Sequence, residues 1–248
     1  MPLRDRQREI RATRPGRLFY LMIALFSVFV LYPLLAPLER GVVALDVVFS
    51  GILLLSVWTV SRNRVTMIIA LLLAVPTFGS RWLEYLLPQY DLLLYAEATT
   101  VAFYFFVAFE LLYNLLKEEE VTLNTIYGAV SVYLLLGLGW AAIYSFMELG
   151  WPGSLDLGSF AQEYADGSVR SHGAYSAYFS FVTLSTLGYG DITPVSPAAR
   201  MLATSEAVIG QMYIAVLIAR LVGIHISQKQ ATRINAGESA RDDDGRSP

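Results

Sequence analysis

Long uncharged apolar runs, rather than alternating apolar and polar positions, dominate this chain. No charge interrupts Leu18–Leu38, Val65–Ser80 or Val121–Met147. Hydrocarbon about 30 Å thick takes roughly 20 such residues in a helix. Helices satisfy their backbone polar groups internally in lipid, so each run is expected as a spanning helix. The pattern places spans near residues 18–38, 42–60, 65–79, 91–116, 122–147 and 198–224. A shorter apolar stretch, Ala174–Thr186, cannot cross and is expected to enter and return. Such backbone is stable at membrane depth only where protein or a water-filled cavity surrounds it. The predicted fold class is all-α: a polytopic membrane protein with six transmembrane helices plus one re-entrant helix and loop.

Basic residues orient the spans. Fourteen of the 18 lie on one side, among them Arg4, Arg6, Arg8, Arg11, Arg14 and Arg17 of the N-terminal arm. Arg62, Arg64, Lys117, Arg220, Lys229, Arg233, Arg241 and Arg246 complete that side, against Arg40, Arg81, Arg170 and Arg200 on the other. The positive-inside rule makes the richer side, with both termini, cytoplasmic, as for a multi-pass protein of the plasma (cell) membrane. The chain divides into a cytoplasmic basic arm (1–17), a four-helix membrane region (18–120), a second membrane region (121–226) and a tail (227–248). Glu148–Gly173, with Pro152 and several glycines and acids, reads as an extracellular loop. The tail is polar and is expected to be disordered. Trp58, Trp82, Trp140 and Trp151 fall near predicted span ends, where interfacial anchors sit.

Composition narrows the chemistry. Of 248 residues, 55% are hydrophobic and 16% charged, against about a quarter charged in soluble domains, which excludes an ordinary soluble enzyme. A net charge of −3 gives no reason to expect nucleic acid. The absence of cysteine removes disulfides and thiol chemistry, and two histidines, His172 and His225, cannot build a multi-histidine metal site. No cofactor and no catalytic residue is expected.

The informative string is Thr183-Leu184-Ser185-Thr186-Leu187-Gly188-Tyr189-Gly190-Asp191. A dehydrated cation needs several oxygens in place of its water shell. Backbone carbonyls supply them if successive carbonyls on one strand point the same way, and glycine reaches the required dihedrals without Cβ strain. Gly188 and Gly190 bracket Tyr189, whose ring can pack outward, and Thr186 can add a hydroxyl. The preceding helix aims its carbonyl end at the same place, favouring a cation.

Thr186-Leu187-Gly188-Tyr189-Gly190 followed by Asp191, with Thr183 upstream, resembles the signature of tetrameric potassium channels, whose filter is four TVGYG loops. The resemblance covers about Val121–Ile226; before that it is limited to the number of spans. It implies a passive, potassium-selective channel with K+ bound at Thr186–Gly190, supported by Thr183 and Asp191. One filter per chain implies a homotetramer, with membrane lipids and K+ as its other partners. Leu187 replaces the commoner valine and is expected to change packing behind the filter more than ion choice. The alternatives are a nonselective cation channel of the same architecture and a non-conducting channel-associated subunit; a membrane enzyme is a more distant rival.

In similar channels a mid-span glycine bends the inner helix. Gly210 occupies that depth, with close helix packing as the competing role. Ile214 and Ile218 share a face and are candidates for a hydrophobic gate or for core packing. Glu206 is expected to brace the filter through Thr183 or Ser185, with snorkelling to outer water as its alternative. Some relatives pair an acid in the re-entrant helix with the filter aspartate; that position is Val182 here, so that brace is expected to be absent. The fourth span contains Glu97 and Glu110 but no arginine, and gating work of about 2.3 kcal/mol per charge per 100 mV requires several. Voltage-independent opening is expected, and the roughly two dozen polar residues after the sixth span are not expected to form a folded ligand-binding domain. Asp46 and Glu97 are expected near Arg81, and Glu110 near Arg62 and Arg64.

Overall fold

The computed structural model describes residues 16–35, 41–61, 63–86, 93–118, 121–158 and 169–244. The N-terminal arm to Pro15, together with Arg40 and Arg62, lies outside them. Six helices are long and apolar enough to cross a bilayer. They are α1 (Arg17–Leu35), α2 (Gly41–Val60), α3 (Arg64–Leu86), α4 (Leu93–Lys117), α5 (Leu123–Gly150) and α7 (Pro197–Asp244), with the shorter α6 (Val169–Leu184) before the last. The protein is an all-α, multi-pass membrane protein.

Two of these bounds differ from the hydropathy pattern for a physical reason. The third span runs on to Leu86 because Arg81 turns inward, where its guanidinium meets Asp46 of α2 at 3.4 Å and feels Glu97 of α4. The pairing lets the charges stay in the bundle, as the sequence suggested. The tail expected to be disordered is instead helical to Asp244. It holds no proline before Ser247, and extending a formed helix adds a hydrogen bond per residue without a new nucleation cost.

Helix α5 is central: it packs against α1, α4, α6 and α7. One core cluster joins α1 to α5 through Leu21, Ile52, Phe103, Val107, Val132 and Leu135. A second surrounds the outer half of α5 and α6, with Trp140, Tyr144, Tyr175, Phe179, Leu184 and Ile192. Trp140 is therefore a core residue stacked beside Tyr144, not an interfacial anchor. Trp58 does stand at a span end, where Arg17 lies over its ring and donates to its carbonyl. Glu110 accepts from Asn114 one turn along its own helix, and no ion pair joins it to Arg64 among the described residues. A local partner on the same face satisfies it.

The region after α5 is more ordered than a plain loop. Glu148 remains in the helix, and its buried carboxylate accepts the N–H groups of Gly153 and Leu155. Leu155–Asp156 (β1) then pairs antiparallel with Thr193–Pro194 (β2), just beyond the glycine-rich string.

Candidate functional site

Helix α6 ends at Leu184, and its last carbonyls are capped by the string that follows. Thr186 N–H bonds Thr183 O at 2.9 Å; Leu187 and Gly188 N–H both reach Val182 O, at 2.9 and 3.3 Å. Helix-end carbonyls need such partners. Here the partners are consecutive amides, so this strand presents its N–H edge to α6.

The dihedrals explain how. Thr186, Gly188 and Gly190 have φ of 58°, 58° and 78°, while Leu187 and Tyr189 do not have positive φ. A sign change at every second residue reverses the peptide twist each time, which brings successive carbonyls to one edge and amides to the other. Glycine adopts positive φ freely, but a β-branched residue there is strained by about 1–3 kcal/mol. Thr186 is the one non-glycine with positive φ among the described residues. Strain of this kind persists only where the surroundings over-determine it. The sequence pointed to Gly188 and Gly190; the left-handed Thr186 was not legible in it.

The outer end is anchored by Asp191. Its carboxylate accepts Ile192 N–H and the hydroxyl of Tyr178 on α6. The acid brace is absent at Val182, as expected, and Asp191 is held from the re-entrant helix by a different residue, Tyr178, one turn earlier. That hydrogen bond holds the Asp191 carboxyl below its ordinary range and pushes Tyr178 up to about 12.

Behind the strand, Glu206 of α7 is 0% exposed, so it does not snorkel. Nor does it reach Thr183 or Ser185. Ser185 Oγ turns back to Phe181 O, and Glu206 takes Ser180 Oγ at 2.6 Å and Tyr144 Oη at 2.7 Å. The contact thus falls one turn N-terminal of Thr183 on α6. Ser180 Oγ also lies 2.7 Å from Gly137 O, so one hydroxyl links α5, α6 and α7. A buried acid is tolerable only with such partners.

Gly210 is buried where α7 crosses the end of α6. A Cβ there would stand 2.4 Å from Leu184 O and 2.9 Å from Leu184 Cδ1. Helix α7 continues unbroken through this position, so close packing, not a bend, is what Gly210 provides in this conformation. Ile214 is half-buried, whereas Ile218 is exposed on a stripe with Gln211, Ala215 and Val222. Sequence reading missed Gln211, whose Nε2 donates to Thr186 Oγ1 at 3.2 Å. It also missed Arg220, which reaches Leu115 O, Leu116 O and Glu118 O, so the inner helix clasps the end of α4. Cationic groups suit carbonyls at a helix C-terminus. An amide inside an apolar span was the available signal for Gln211.

Leu187 and Tyr189 are 55% and 66% exposed in the single chain. The strand thus combines a strained backbone with apolar side chains that its own chain leaves uncovered.

Comparison with known proteins addresses this half of the molecule. Residues 121–225 match a family model described as "Ion channel". The chain is 37% identical over 68 residues to a protein of rice (Oryza sativa subsp. japonica) named two pore potassium channel c, covering 27% of this chain and 15% of that protein. It is 30% and 31% identical over 104 residues to protein LctB of Bacillus caldotenax and of Geobacillus stearothermophilus. Those alignments cover 42% of this chain and 75% of each relative. No solved structure gives a significant match. The family match is to an ion channel, not an enzyme, and it falls on α5, α6, the strand and α7.

Proposed function

Because the chain belongs to the ion channel family, we propose that it is a potassium-selective channel that conducts passively as a homotetramer. Thr186–Gly190 of four subunits line the filter, with K+ held between rings of their carbonyls. The observation that carries this reading is the alternation of positive φ at Thr186, Gly188 and Gly190, with the amides of Thr186, Leu187 and Gly188 committed to α6. That leaves a carbonyl edge with no partner among the described residues, and four such edges around an axis replace the hydration shell of a cation. Similarity to a protein named a potassium channel supports the choice of ion.

The assembly sits in the cell membrane with both termini cytoplasmic, an orientation that the distribution of basic residues supports. Helix α4 supplies no gating arginines, so opening is only weakly voltage-dependent. Thr183 closes the turn below the filter through its carbonyl, and Asp191 and Glu206 support it from either side.

Vesicles loaded with KCl and carrying the purified full-length chain test this. Potassium efflux is expected when potassium, but not sodium, is free to move. It is abolished by Gly188→Asp in protein that still cross-links to four subunits. Equal sodium flux would mean a nonselective pore, and a ladder ending at two subunits would remove the four-fold filter.

A further inference from the structure

Between Glu206 and Arg220, α7 carries two polar side chains. The Tyr213 hydroxyl is committed to Ala129 O. Gln211 is exposed, faces away from the protein core, and makes one hydrogen bond among the described residues, to Thr186 Oγ1. The rest of its stripe, Ala215, Ile218 and Val222, is apolar and exposed. An amide in mid-membrane is costly unless it serves a cavity or a partner. Its partner here is the strained threonine at the inner end of the filter strand.

We propose that Gln211 is a positioning residue for the innermost cation site: its amide holds the Thr186 hydroxyl so that the oxygen ligates an ion entering the filter from inside. This rests on the tetrameric filter proposed above. A threonine hydroxyl has two lone pairs and one proton. Donation from Gln211 Nε2 occupies one lone pair and fixes the side-chain rotamer, leaving the second lone pair for the cation. The Thr186 backbone is independently pinned by its N–H to Thr183 O, so Gln211 governs the hydroxyl and not the strand. The other filter ligands are carbonyls that Gln211 does not touch. Gln211 therefore tunes how tightly the innermost site holds an ion, without deciding which monovalent ion the filter accepts.

Barium, a divalent ion close to K+ in size, is the probe. Applied from the cytoplasmic side to the full-length tetramer in bilayers, it lodges at K+ ligands and reports the inner site by block. Gln211→Met keeps length and removes the donor; barium affinity is expected to fall about tenfold, the effect of losing one useful hydrogen bond. The potassium reversal potential is expected to stay unchanged. Thr186→Val alone should weaken block, and adding Gln211→Met to it should change nothing more, because Gln211 acts through that hydroxyl. Unchanged block in Gln211→Met, or additive effects in the double variant, would overturn the proposal. Gln211→Asn, too short to reach Thr186, must behave as Gln211→Met does and decides the matter if the methionine variant does not assemble. A wild-type channel without potassium selectivity would instead count against the filter reading itself.

Discussion

Helices α5 and the spanning part of α7 are both 28 residues long and similarly apolar, with mean hydropathy of 1.8 and 2.0. Yet in their most apolar stretches 72% of α5 is buried within the chain and only 6% of α7. Hydrophobicity alone would give them one environment. The difference is supplied by partners: α5 is wrapped by α1, α4, α6 and α7, whereas the face that α7 turns to its own chain meets mainly α5, α6 and β2 among the described residues. That face is marked by Ala199, Glu206, Gly210 and the carbonyl-gripping Arg220. Helix α5 is an element of the subunit's core. Helix α7 leaves most of its apolar surface uncovered by its own chain, and in the proposed tetramer that surface is left for neighbouring subunits and for the pore.

Substitutions of one kind on the two helices should expose this contrast. Leu135→Ala, in the α5 core, is expected to destabilise each subunit by about 2–5 kcal/mol, read as reduced thermal stability of the detergent-solubilised protein. Ile218→Ala, on the exposed stripe of α7, is expected to leave that stability within about 0.5 kcal/mol while altering open probability. Equal destabilisation would mean that Ile218 is a core residue. Gly210→Val places a side chain against the Leu184 carbonyl and is expected to cost about 3 kcal/mol, read as loss of the four-subunit band. A functional valine variant would show that α7 and α6 are not held as described.

Smaller effects probe the contacts joining the two helices. Tyr144→Phe deprives buried Glu206 of one of two hydroxyl donors and is expected to cost about 1–3 kcal/mol. Glu206→Gln, which keeps the shape, should cost less; the reverse order would refute the brace.

The smallest expected effect is electrostatic, at the outer mouth. Folding depresses the Asp191 value, chiefly through Tyr178. Its contribution is therefore present above the unfolded-state value and is lost as pH falls through the folded one. In Tyr178→Phe, Asp191 should titrate nearer the ordinary carboxylate range, so acid should perturb the mouth at higher pH. Carboxyl-carbon NMR of labelled Asp191 measures this directly, and an unmoved titration would remove Tyr178 as its partner.

Much of the fold was legible because spanning length and charge exclusion leave a strong trace. Spans appear where Leu18–Leu38 and Val121–Met147 run uncharged. Hydropathy misjudged the end of α3 because Arg81 finds Asp46, a tertiary fact. It gave the polar tail no helix because it weighs apolar content, not backbone continuity. At the site, the backbone at Gly188 and Gly190 was legible because glycine spacing encodes such geometry directly, whereas the left-handed Thr186 was not. The supports were not. Ser180 and Tyr178 are ordinary residues one turn away from the positions favoured by sequence distance, Tyr144 lies on another helix altogether, and only the tertiary fold brings them to Glu206 and Asp191.

The central claim is that four strained strands make one potassium-selective path. Its most direct test is the reversal potential of the purified full-length protein in a bilayer, with potassium on one side and sodium on the other. A value near the potassium equilibrium potential is predicted. A value near zero, with sustained current, would contradict it.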